Sequence, residues 1–131
     1  MKKNILAFLL ILITVSVFAQ KHSQRDLIGK WEGRDARSDV GGLFFLKDSK
    51  VILSMGGSFS PAMSYTVDFK SNPIKIDLFM KNTNGIQMTM KGLLQFVDKN
   101  TLKFQVFPRG DRTPDFDPKS SQNLVLLKRA G

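Results

Sequence analysis

The chain has 131 residues, 42% of them apolar, and a formal charge of +9 from 20 basic and 11 acidic side chains. It contains no cysteine, which excludes a disulfide framework and any thiolate metal site. The length suits one domain built on one core.

The first predicted element is a leader. Met1-Lys2-Lys3-Asn4 is a short basic region, Ile5 to Phe18 is an apolar run broken by Thr14 and Ser16, and Val17-Phe18-Ala19 ends in small or aliphatic residues suited to cleavage after Ala19. A spanning helix needs about 20 consecutive apolar residues, more than this run supplies. Residues 1–19 are therefore expected to be a signal peptide and residues 20–131 a mature domain that starts at Gln20, periplasmic or secreted, with no transmembrane anchor after cleavage. Losing Lys2 and Lys3 lowers the charge from +9 to +7. A basic balance raises nucleic acid as a partner. Export and the single scattering of the lysines and arginines argue against it. A solvated positive surface is expected instead, with an anionic envelope surface as the sharper alternative.

A short helical turn is expected at Ser23–Ile28. After it the period is that of strands, with alternate residues on opposite faces. Met63, Tyr65, Val67 and Phe69 share a face, as do Ile74, Ile76, Leu78 and Met80. The longest run is Ile86, Met88, Met90, Gly92, Leu94 and Phe96, followed by Leu102, Phe104 and Val106. Eight strands are predicted, over 29–35, 42–47, 50–55, 63–69, 74–80, 85–97, 101–107 and 124–128. Asp48-Ser49, Lys70-Ser71-Asn72-Pro73, Asn82-Thr83-Asn84-Gly85 and Asp98-Lys99-Asn100 supply turn chemistry between them. The connections 36–41, 56–62 and 108–123 are longer, and a meander places these with 82–85 at one end. The expected fold is all-β, an eight-stranded antiparallel up-and-down β-barrel shaped as a cup, since closure removes exposed edges.

Gly29-Lys30-Trp31 opens the first strand and Arg129 ends the last. With Tyr65-Thr66-Val67-Asp68, Pro73-Ile74-Lys75-Ile76-Asp77, Gly92-Leu93, Asn100-Thr101-Leu102-Lys103 and Leu127-Lys128-Arg129, the chain resembles the lipocalin superfamily, and within it a family of small bacterial lipocalin-like domains of unknown function. The resemblance implies a barrel whose Trp31 packs under Arg129, and it implies no catalytic residues. Arg112-Thr113-Pro114-Asp115-Phe116 departs from the family's R-P-x-x-F element by one inserted residue.

Catalytic chemistry is sparse. Beyond the leader there is one histidine, His22, placed in the N-terminal tail before any packed element, and one glutamate, Glu32. A triad needs an oriented imidazole, and a carboxylate pair needs two acids converging in a cleft. Asp68 and Asp77 fall on the outward phase, and Asp111, Asp115 and Asp117 lie in a loop with no established calcium spacing. No enzyme, no cofactor and no metal site is expected, apart from a remote Cu(II) or Ni(II) nitrogen set at a mature Gln20-Lys21-His22 terminus.

The methionines carry the functional reading. Met55, Met63, Met80 and Met88 flank the connections at the open end, with Met90, Tyr65 and Phe104 deeper. Methionine suits adaptable apolar surfaces, so these residues are the expected ligand-binding set for a small apolar or amphipathic molecule. Core filling and soft thioether coordination of Cu(I) are the alternatives at the same residues. Nine phenylalanines outside the leader could instead fill the barrel solid, leaving the 108–123 loop to contact an envelope protein as an inhibitor or accessory module.

Overall fold

A computed structural model describes residues 21–34, 40–108, 110–119 and 124–130. The predicted signal peptide and its cleavage site lie outside them. One four-residue helix, α1 (Gln24–Leu27), precedes nine strands: β1 (Gly29–Arg34), β2 (Val40–Leu46), β3 (Lys50–Met55), β4 (Ser58–Phe59), β5 (Met63–Asp68), β6 (Ile74–Lys81), β7 (Gln87–Asp98), β8 (Thr101–Phe107) and β9 (Leu124–Arg129). All pairings are antiparallel, in the order β2-β1-β9-β8-β7-β6-β5-β3, and β3 returns to β2 to close an eight-stranded barrel. The alternation in the sequence explains the register. Leu43 and Phe45, Ile74, Ile76 and Leu78, and Leu102 and Phe104 all fall on the inner face and are buried.

The tight turns gather at one end, the floor. Lys47-Asp48-Ser49 turns with Asp48 and Ser49 at φ 64° and 57°, the left-handed geometry that matches strand twist in short hairpins. Helix α1 crosses this end. Its Gln24 amide donates to Ser49 Oγ at 3.0 Å, and the Trp31 indole N–H donates to the Leu27 carbonyl at 2.8 Å. Arg129 lies 4.2 Å over the Trp31 ring and donates to the carbonyls of Ile28 and Asp26 at 2.9 and 2.8 Å. The indole is fully buried. Its apolar face, its N–H and the guanidinium above it are all partnered, so the indole is buried without an orphaned polar group of its own.

Two expected connections differ at the other end, the rim. The predicted long loop 56–62 is a tight turn at Gly56-Gly57, with φ 56° and 85°, followed by β4 pairing back on β3 through Ser54↔Phe59 and Met55↔Ser58. Two adjacent glycines let both turn residues take positive φ at little steric cost, and the sequence reading took that pair as loop. The second difference is 110–119, the described part of the predicted loop 108–123 beyond Pro108. Rather than rising from the rim, this segment folds down over the outside of β6, β7 and β8. Arg112 donates to Asp77 Oδ1 at 2.7 Å and to the carbonyls of Ile76 and Gly92 at 3.1 and 3.3 Å. Gln105 donates to the Asp117 carbonyl and accepts from its amide, both at 2.8 Å. Leu93 and Gln105, on the outward phase, are consequently fully buried beneath it.

Candidate functional site

The lower and middle barrel is packed. Phe45, Val51, Ile76, Leu94 and Leu102 expose no surface to solvent, and Leu43, Leu78 and Leu127 expose almost none. Two residues expected in the deep part of the mouth belong to this core. Tyr65 is 3% exposed, at the floor, where its amide donates to the Ser49 carbonyl and its ring meets Phe45 edge-on at 5.1 Å. Phe104 pairs across to Leu94 and Val125, below the rim end of β8. Among the described residues the buried Tyr65 hydroxyl has no hydrogen-bond partner. Burial pushes this phenol above its ordinary value, and the nearby Gln24 side chain offsets the rise in part.

The rim has a different character. Pairing between β5 and β6 ends at Ser64↔Phe79, and pairing between β7 and β8 ends at Lys91↔Phe107. The β6–β7 ladder continues beyond both, through Phe79↔Thr89, Met80↔Met88 and Lys81↔Gln87. The hairpin therefore extends past the last β7–β8 pair from Met90 outward, and past β5 only at Lys81 and Gln87 and the tip beyond them. The Asn82 side chain ties its tip by accepting from the amides of Asn84 and Ile86, both at 2.9 Å. One face is apolar, with Met80 and Met90 half-buried and Ile86 and Met88 60% and 50% exposed. The other carries Lys81, Gln87 and Thr89, with Phe79 half-buried opposite Thr89.

Register brings the methionines together. Met80 and Met88 are direct cross-strand partners. Met63 and Met80 are the next residues after the last β5–β6 rung, Ser64↔Phe79. Met63, Met80 and Met88 thus lie abreast on three adjacent strands, and Met90 is one inward step below Met88. Met63 belongs to the buried core, and Met80 and Met90 pack against it. The backbone of Met55 lies opposite Gly41 and Ser58, on the β3–β4 hairpin and apart from this group.

His22 is not in an unpacked tail. Its ring stacks on Phe96 at 4.0 Å with an interplanar angle of 15°, and its Nδ1 lies 3.6 Å from the Asp26 carboxylate. A terminal nitrogen set for Cu(II) would have to withdraw the imidazole from that stack, and its other members include Gln20, outside the described residues. The Asp77 and Asp111 carboxylates are engaged by Arg112 and Lys91, and the Asp117 carboxylate accepts from the Lys119 amide at 3.0 Å. The Lys91 ammonium holds the Asp111 carboxyl below its usual value.

Sequence reasoning passed over Ile86 as a site residue, and Leu93, Gln105 and Arg112 as a packed unit. Leu93-Leu94 carried the signal: consecutive apolar residues in an alternating strand indicate cover on both faces.

No protein-family model, curated protein or solved structure matches the chain.

Proposed function

We propose that the chain is an exported, non-catalytic binding barrel whose methionine-rich rim holds an apolar or amphipathic small molecule. The observation that carries this reading is the rim end of the β6–β7 hairpin, which presents Met80, Ile86, Met88 and Met90 on one face, Ile86 and Met88 exposed to solvent. Flexible thioether side chains adapt to ligands of varied shape, and a core packed below them favours a ligand lying across the rim. Trp31 under Arg129 supports grouping the chain with lipocalin-like barrels. The basic surface supports an amphiphile with an anionic head, or approach to an anionic envelope surface.

Fluorescence of an environment-sensitive fatty-acid probe tests this. Each buried CH₂ contributes about 0.8 kcal/mol before ordering costs, so affinity should rise with chain length until the rim is covered. Met88→Lys should abolish the signal while Trp31 emission reports an intact fold. An absent signal for wild type at every chain length, or an undiminished one for Met88→Lys, overturns the reading. The packed interior supports a second reading, a solid barrel that acts as an envelope protein-interaction or inhibitor module, and that result would favour it.

A further inference from the structure

Four of the five methionines after Met1 fall in one group on β5, β6 and β7 that runs from the core at Met63 to the rim at Met88, while the rest of the buried interior is leucine, isoleucine, valine and aromatic residues. A ligand surface that needed only apolar area would not have to segregate sulfur in this way. Cores ordinarily use methionine sparingly, because its three rotatable bonds specify packing poorly. The arrangement is also directional. Met63 is 7% exposed and anchored in the core, Met80 is half-buried, and Met88 is half exposed at the solvent side. Met80 lies between Met63 and Met88 and is the direct cross-strand neighbour of each, and such neighbours have Cβ atoms about 4.5–5.5 Å apart, so the flanking side chains can turn their sulfurs toward that of Met80.

We propose that Met63, Met80 and Met88 form a thioether site for Cu(I), with Met90 close enough to complete or exchange a ligand. Thioether sulfur is a soft, neutral donor and selects Cu(I) among the biological cations. It binds without having to lose a proton, unlike thiol or imidazolium. Hard or borderline ions have no competing site nearby: among the described residues no three His, Asp or Glu side chains cluster to hold a metal. The buried Met63 end offers a fixed donor, and the exposed Met88 end offers a mobile one through which the ion enters. This site stands apart from the apolar-ligand reading, although it shares side chains with it.

Leucine separates the two, because it keeps the apolar volume and removes the sulfur. The experiment titrates the purified exported protein, under anaerobic reducing conditions, against the coloured Cu(I)–bicinchoninate complex. Wild type should withdraw one equivalent of Cu(I), and X-ray absorption of the product should give a shell of sulfur neighbours. Met80→Leu and Met88→Leu should each weaken Cu(I) binding by roughly tenfold or more, the scale that even outer-shell changes at metal sites reach. Both variants should still bind the fatty-acid probe if the apolar reading holds. Failure of wild type to withdraw Cu(I), unchanged affinity in the Met80→Leu/Met88→Leu double variant, or a nitrogen shell pointing to His22 would each overturn the site. None of those results touches probe binding, and loss of probe binding leaves the copper measurement standing.

Discussion

Two residues at the floor illustrate opposite uses of an aromatic ring. Trp31 fills the barrel end, donates its N–H to Leu27 and lies beneath Arg129. Trp31→Ala should cost about 3–5 kcal/mol through the void it leaves. Arg129→Ala should also lower the urea midpoint, because it uncovers the ring and leaves the Asp26 and Ile28 carbonyls without their guanidinium partner. Midpoints near wild type for both would dismiss the floor as a structural unit. Tyr65 is buried as well, but its hydroxyl has no partner among the described residues. An unsatisfied buried hydroxyl costs on the order of 1–3 kcal/mol, so Tyr65→Phe should leave stability unchanged or raise it by about 1 kcal/mol. The phenol also sets an alkaline limit. Its folded pKa lies above the unfolded value of about 10, so its contribution is whole below that pH and is lost as pH rises through the folded value. Urea midpoints taken from pH 8 to 11 should fall for wild type, and Tyr65→Phe should remove that part of the fall.

At the scale of elements, the strap 110–119 is held by sheltered, hydrogen-bonded groups, the Arg112–Asp77 ion pair among them, rather than by its exposed charges. The Lys91–Asp111 pair is exposed, and such pairs contribute little. The Arg112 fork and the Gln105–Asp117 exchange are more sheltered, and Leu93 lies buried between strap and sheet. Leu93→Ala should cost about 2–5 kcal/mol. Hydrogen exchange should then quicken in the strap before it does in the β5–β6 ladder. Equal protection of the strap in wild type and variant would show that Leu93 does not hold it down. Lys103 sits 4.5 Å over the Phe116 ring and adds a weaker fastening of the same segment.

Barrel closure is a property of the whole molecule and depends on close backbone approach along β2-β1-β9. A methyl group on Gly42 would collide with the Trp31 carbonyl oxygen, and one on Gly33 with the Leu126 carbonyl oxygen. Side-chain rotation cannot relieve a clash with backbone, so Gly42→Ala should part β1 from β2. At Gly57 a methyl group meets open space and only the positive φ is strained. There Gly57→Ala should cost about 1–2 kcal/mol. Thermal unfolding should therefore rank the two variants widely apart, with Gly42→Ala far the less stable. A reversed order would mean that the β1–β2 register differs from Glu32↔Gly42.

The sequence by itself determined the strands and their faces. A period of two is a local property, and it placed β1, β3, β5, β6 and β8 to within a residue or two, with the helical turn before them. It also favoured closure of eight such strands, because closure removes exposed edges. Tertiary structure decided where the connections went and which side chains met. Gly56-Gly57 and 110–119 look alike as polar, turn-rich segments, yet one makes a tight hairpin and the other covers a wall. The difference rests on partners distant in sequence, Asp77 and Gln105, that no local pattern names. The methionine group was legible as a composition and as a phase. That Met63, Met80 and Met88 lie abreast follows from inter-strand register, which the hairpin turns and the packing of the inner face set together.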